Sequence, residues 1–213
     1  MSLARRLWAD SADLADATLA HPFVRGLADG TLPRDRFAGY VAQDAFFLQA
    51  FARGYAMAVV RSPDRAGLEA FADLLAGVRD ELRLHHGYAA REGIDLTGVE
   101  PMPATSAYTD FLLATAATGG PGETCAAMTP CMRLYAFLGQ SLAGRSAAAP
   151  DGPFAEWVAT YADPGFEQLA ATLEELLDRY AVDTPAVAAA YRRAMELELG
   201  FFESAWSGGG RRG

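Results

Sequence analysis

Glu123-Thr124-Cys125-Ala126-Ala127-Met128-Thr129-Pro130-Cys131-Met132-Arg133-Leu134-Tyr135-Ala136-Phe137-Leu138-Gly139 reads, apart from Pro130, as one continuous apolar helix. A proline inside a helix removes one backbone hydrogen bond and crowds the carbonyl four residues back, here Ala126. Two outcomes fit: a kinked helix, or a helix that restarts with Pro130 in its first turn. Either sets the Cys131 thiol beside disturbed backbone, and a restart would also expose it to a helix N-terminal dipole, which lowers thiol pKa. A free cysteine is more usually a small core packer, and on Pro-Cys alone the packing role wins.

Working outward, the chain is helical throughout. Leu3, Leu7, Leu14 and Leu19 mark a first amphipathic helix that stops before Pro22. His21 to Leu32 is a short helix or loop closed by glycine. Pro33 opens a long helix from Arg34 to about Val60, with Phe37, Tyr40, Val41, Phe47, Leu48 and Phe51 spaced by three and four. Ser62-Pro63-Asp64 starts a third helix that reaches about Glu92 and ends at Gly93.

A loop from Ile94 to Pro103 precedes helices at about Thr105–Thr118, Gly122–Gly144 and Pro153–Tyr161. Pro164 opens another to Tyr180, and Thr184-Pro185 caps the last, which ends near Trp206. No stretch alternates at period two for long enough to form a strand. The fold class expected is all-α, a single-domain bundle of long antiparallel helices over residues 1–207, with 208–213 a flexible tail.

The totals narrow the function. With 213 residues, half of them hydrophobic, the chain can bury one large core. Its net charge of -9 argues against a nucleic-acid surface. The absence of lysine and asparagine, with Ile94 as the one isoleucine, reads as coding bias. The N-terminus lacks a signal-peptide pattern, and no apolar run suits a membrane span. Cys125 and Cys131 are six residues apart, about 9 Å of helical rise and too far for a disulfide. A cytoplasmic protein with free thiols is expected.

Two carboxylates sit where helices usually place apolar groups. Asp44 lies in Tyr40-Val41-Ala42-Gln43-Asp44-Ala45-Phe46-Phe47-Leu48, amid aromatics in mid-helix. Aspartate is a poor helix former and costly to bury unpaired. Glu198 lies in Met195-Glu196-Leu197-Glu198-Leu199-Gly200-Phe201-Phe202-Glu203, where one of the glutamates should face the core. Asp44 with Phe47 and Glu198 with Phe201 are i,i+3 pairs, so each acid shares a helix face with a ring. The plainer alternative is a pair of surface charges bound to arginines such as Arg53 and Arg133.

Metal chemistry finds little support. Di-iron bundles need Glu-x-x-His pairs, whereas His85 and His86 follow Glu81 by four and five. A zinc site lacks its histidine and cysteine cluster. His21 could serve as a haem axial ligand, although a lone histidine there more often caps a helix.

Seven stretches, in order and across nearly the whole chain, resemble the TenA family (thiaminase II, aminopyrimidine aminohydrolase). They are His21-Pro22-Phe23 with Gly30-Thr31-Leu32, Tyr40-Val41-Ala42-Gln43-Asp44, Glu81-Leu82-Arg83-Leu84-His85, and Ala107-Tyr108-Thr109-Asp110-Phe111-Leu112. Pro130-Cys131-Met132-Arg133-Leu134-Tyr135 with Gly139, Trp157-Val158 to Tyr161, and Glu198-Leu199-Gly200-Phe201-Phe202 complete the set.

The resemblance implies a haem-oxygenase-like fold without haem, no cofactor, and usually a homotetramer. It implies hydrolysis of 4-amino-2-methylpyrimidines bearing a leaving group on the 5-methylene carbon, aminomethylpyrimidine or thiamine. The product is 4-amino-5-hydroxymethyl-2-methylpyrimidine, in thiamine salvage.

It also implies roles. Cys131 would add to the ring, Glu198 would move protons at the ring nitrogen, and Asp44 would accept from the exocyclic amine. Tyr108 and Tyr161 would supply hydroxyls, Phe47 and Phe201 would sandwich the pyrimidine, and Tyr135 would line the same wall. Glu81 and His85 are expected to bond between helices, and Cys125 to pack. The family often has tyrosine where Phe47 stands. Two other classes stand beside the enzyme: a non-catalytic helical pyrimidine-binding or regulatory protein, and a haem oxygenase.

Overall fold

The computed structural model describes residues 1–143 and 152–208, and the described residues hold ten α-helices and no strand. They are α1 Leu3–Ala9, α2 Ala12–Leu19, α3 Pro22–Asp29, α4 Arg34–Arg61, α5 Arg65–Glu92, α6 Pro103–Thr118, α7 Pro121–Ala143, α8 Ala155–Ala162, α9 Pro164–Tyr180 and α10 Pro185–Gly208. The two longest, α4 and α5, match the sequence expectation closely. Asp64 caps α5 by accepting from the Gly67 amide at 2.8 Å, and Gly93 ends it in the left-handed region at φ +67°.

The expected first helix is two. The α1 segment is tied to α9, where the Ala4 amide donates to Asp178 at 2.8 Å. The α2 segment is tied to α10, where Arg192 donates to both Asp13 oxygens and to the Asp10 carbonyl. One straight helix could not meet both anchors. At the other end α10 includes Gly208, which the sequence had assigned to the tail; residues 209–213 and the expected helix end at Gly144 lie outside the described residues.

The centre of the molecule is α7, buried from Thr124 to Met132 and again at Leu134–Ala136, Leu138, Gly139 and Leu142. It packs against α8, α9 and α10, while α4 lies between α5 and α6. Fully burying a leucine such as Leu134 or Leu138 contributes roughly 1.5–3 kcal/mol. Close approach explains two glycines: a Cβ on Gly139 would sit 2.3 Å from the carbonyl carbon of Tyr161, and one on Gly122 would sit 2.5 Å from Ala181 Cα.

Pro130 stands inside α7, which continues through it. The helix does not restart there, so no free N-terminus acts on Cys131. Just before it, the Thr129 hydroxyl donates one turn back to the Cys125 carbonyl at 2.7 Å. An interior proline costs about 3 kcal/mol or more. Burial of α7 around Pro130, unbroken from Thr124 to Met132, is what offsets that cost.

Candidate active site

Five helices converge beside Pro130. From α7 come Cys131 and, one turn on, Tyr135; from α4 come Tyr40, Asp44 and Phe47. The α10 helix supplies Glu198 and Phe201, α6 supplies Tyr108, and α8 supplies Trp157 and Tyr161. Each residue sits within the apolar stripe of its own helix. In α10, Glu198 falls among buried Tyr191, Ala194, Met195, Phe201, Phe202 and Ala205. In α4, Asp44 falls between buried Tyr40 and Phe47. Helical period thus forces both acids into the interior, where Glu198 is 1 % and Asp44 4 % exposed.

The carboxyl of Glu198 meets two polar neighbours. Tyr108 Oη donates to Oε1 at 2.8 Å, and the Cys131 thiol lies close enough to the same carboxyl to lower its pKa. Burial pushes the Glu198 pKa up to about 7, against the lowering effect of those two neighbours. The Asp44 carboxyl is also raised by burial to about 7. His85 Nε2 stands 3.1 Å from Asp44 Oδ2, but the approach is not aligned as a hydrogen bond, and Oδ2 has no donor. Burial lowers the His85 pKa, so the imidazole is neutral near pH 7 and supplies no counter-charge.

Burial, reinforced by the charges of Glu198, Glu81 and Asp44, holds the Cys131 thiol well above its ordinary range. Of the two outcomes open at Pro130, the helix restart that would have favoured the thiolate is not the one found. The sulfur is a protonated thiol beside a carboxyl poised to accept its proton. Cys125 is a buried packing residue with a thiol raised by burial, as expected.

The aromatic slot is closed. Phe47 and Phe201 have ring centroids 6.0 Å apart and are inclined by 52°, a direct-contact pair rather than two parallel faces with a gap. Phe47 also leans on Tyr108, 4.7 Å away. The space bounded by Asp44, Phe47, Cys131, Tyr135 and Tyr161 is about 10 Å³, on the order of one water molecule. A pyrimidine enters only if these side chains part. The expected sandwich is therefore a pair of rings that a substrate must separate.

The structure brings together all eight residues singled out in the sequence. It adds others that the sequence reading treated as structural or passed over. Glu81 lines the thiol pocket and accepts from Tyr161 Oη at 2.9 Å. It is only partly buried, yet desolvation and the neighbouring Asp44 charge raise its pKa to about 7. Tyr40, fully buried, donates to Tyr135 Oη at 3.1 Å and accepts from Trp157 Nε1 at 3.3 Å. The signal for Glu81 was present in α5: buried Phe71, Leu74 and Val78 define a stripe whose continuation falls at Glu81 and His85.

His21, weighed as a haem ligand, caps α3 instead. Its Nδ1 accepts from the Phe23 amide at 3.2 Å, and Nε2 lies 3.0 Å from Glu203. Arg133 binds Glu167 and Glu174, not Asp44 or Glu198, so the surface-charge alternative for those two acids does not hold.

Comparison with known proteins places the chain in a family. An aminopyrimidine aminohydrolase of Halalkalibacterium halodurans is 34 % identical over 185 residues, covering 85 % of this chain and 83 % of that protein. A solved Silicibacter structure, described as a TenA family transcription regulator, superposes with a TM-score of 0.88 at 28 % identity, over 94 % of this chain and 95 % of that one. A Shewanella denitrificans domain with a haem-oxygenase-like fold superposes with a TM-score of 0.76 at 17 % identity, over 96 % of this chain and 92 % of that one, and so shares the architecture. The TENA/THI-4/PQQC family model matches residues 8–209, nearly the whole chain, and the chain belongs to that family.

Proposed function

We propose that this protein hydrolyses 4-amino-2-methylpyrimidines substituted at the 5-methylene carbon, giving 4-amino-5-hydroxymethyl-2-methylpyrimidine, in thiamine salvage or degradation. One observation carries the proposal. A buried carboxyl with a pKa near neutrality contacts a buried thiol, while a second buried carboxyl nearby keeps an oxygen without a donor.

Displacement at the methylene is slow while the ring is aromatic. Glu198, as carboxylate, takes the Cys131 proton as sulfur adds to the ring carbon beside the one bearing the methylene. The same proton passes to a ring nitrogen. Loss of aromaticity lets the leaving group depart with its bonding pair, and an exocyclic alkene remains. Water adds to the alkene carbon and gives its proton to Glu198; the ring-nitrogen proton then goes to sulfur as the thiol is expelled, and the aromatic ring returns.

A carboxyl suited to both proton transfers needs a pKa near the working pH, which burial supplies. Tyr108 holds it in place. Asp44 Oδ2 is free to accept from the exocyclic amine, and Tyr135 and Tyr161 line the same pocket as Phe47. The small resting pocket means that the side chains part only as far as the substrate requires, which limits the bulk water beside the intermediate.

The test is mass spectrometry of aminomethylpyrimidine and thiamine after incubation with the purified protein. Appearance of the hydroxymethyl product supports the proposal, and unchanged pyrimidines refute it. On the same family resemblance we propose a homotetramer in the cytoplasm; light scattering of the purified protein checks the assembly.

A further inference from the structure

The larger cavity is not the thiol pocket but a chamber beside it, about 110 Å³, on the far side of the Tyr161–Glu81 hydrogen bond. Glu81 and Tyr161 line both spaces. The chamber has aromatic walls, among them Tyr40, Phe154 and Trp157, with His85 and Glu156 also on its lining. Glu156, 55 % exposed, marks the side nearest solvent, and its charge is matched there by both hydrogen bonds from Arg91.

Inside, the balance of charge is different. Asp44, Glu81 and Glu198 share this corner of the molecule, and the side chains bonded or close to them are Tyr161, His85, Tyr108 and Cys131. None of these is a permanent cation. Asp44 Oδ2, nine-tenths buried and facing the inner pocket, has no donor. Three acids crowded without a cation are held partly protonated by burial and mutual repulsion. They are matched only when positive charge arrives.

Resting on the pyrimidine reading of the thiol pocket, we propose that the outer chamber is the subsite for the leaving group. It selects a positively charged 5-methylene substituent, an ammonium or an azolium, through Glu81 and the aromatic faces around it. With the ring against Cys131 and Asp44, the methylene points past Tyr161 and Glu81 into the chamber. Aromatic faces attract a desolvated cation, and a carboxylate at the boundary adds direct charge pairing. A neutral substituent gains neither.

The choice of a cation also suits the chemistry. When the bond to an ammonium breaks, its electron pair goes to nitrogen, and the group leaves as neutral ammonia with the three protons it already carries. An azolium likewise leaves as a neutral azole. No proton need be delivered at departure. A carboxylate beside the ammonium keeps it protonated until the bond breaks.

Glu81→Gln in the full chain tests this. The readout is kcat/KM, at about pH 8, for three substrates that share one pyrimidine: the aminomethyl compound, thiamine, and the neutral formamide of the aminomethyl compound. The expected result is that preference for the two cationic substrates over the formamide falls about tenfold, mainly through KM. Affinity for the neutral hydroxymethyl product should fall less than affinity for either cationic substrate. An equal loss for all three, or no change in preference, overturns the assignment and leaves Glu81 a helix-to-helix tie.

A second measurement needs no variant. In the unaltered protein, an N-methylthiazolium should inhibit at least about tenfold more strongly than the corresponding neutral thiazole; equal inhibition overturns the proposal. If the unaltered protein neither turns over any of the three pyrimidines nor binds the hydroxymethyl product, the pyrimidine reading itself fails. That outcome is distinct from a loss of charge preference in an active enzyme.

Discussion

The Tyr108 hydroxyl donates to Oε1 of Glu198 at 2.8 Å, and the same buried carboxyl neighbours the Cys131 thiol. A phenol on α6 thereby fixes the base that a thiol on α7 requires, although the three residues are far apart in the chain.

Tyr108→Phe removes a bond that favours the ionised carboxyl, so Glu198 should titrate at higher pH than in the unaltered protein. Turnover that depends on the carboxylate rises with pH through about 7, and this limb should move upward in the variant. A fall of about tenfold in kcat at neutral pH, largely recovered at higher pH, is expected. A pH–rate profile measures it; an unshifted limb would separate Tyr108 from proton transfer.

Stability should respond to pH in the opposite sense to most acid-labile proteins. The folded-state pKa values of Asp44 and Glu198 lie at about 7, above their ordinary carboxylate values. Their contribution to stability is fully present below about pH 4, declines as pH rises, and is lost above about 7. Asp44→Asn removes the ionisation at its site. Its gain in melting temperature over the unaltered protein should therefore be larger at about pH 8 than at about pH 5, by about 2 °C or more. Melting curves at the two pH values decide the point.

The resting thiol should be slow. Cys131 is 8 % exposed, Cys125 is fully buried, and burial raises both thiols. Alkylation by iodoacetamide near neutral pH, followed by intact mass, should be at least about tenfold slower for either cysteine than for a small free thiol. Rapid single labelling at Cys131 would restore the low-pKa thiolate that the proline had suggested.

Much of this was legible in the sequence. Spacing by three and four gave α4, Asp64 and Gly93 bounded α5, and the acids Asp44 and Glu198 betrayed themselves by standing in apolar stripes. The break at Asp10–Ser11 was not legible, because it follows from anchors on α9 and α10 that no local pattern encodes. Nor was the state of the Cys131 thiol. Its pKa depends first on burial and then on carboxyls from three other helices, whereas the sequence showed only its neighbour Pro130. Glu81 was visible as a core-stripe position, but its place between two cavities depends on how α8 meets α5.

Gly139 provides a purely steric check. A methyl there would press on the Tyr161 backbone at 2.3 Å, where no flexible side chain can give way. Gly139→Ala should cost roughly 1–3 kcal/mol of stability by overpacking and displace Tyr161 from Glu81. Denaturant unfolding gives the first quantity, and a raised KM for aminomethylpyrimidine reports the second.

The central claim is that the Cys131 sulfur bonds to the substrate ring. The most direct measurement is the turnover of aminomethylpyrimidine by Cys131→Ser, with unfolding followed in parallel. Serine keeps the size of the side chain and a donor for Glu198, so the melting temperature should change little while the rate falls by about 10³-fold or more. A serine variant that folds normally and still forms the hydroxymethyl product at close to the unaltered rate would contradict the claim.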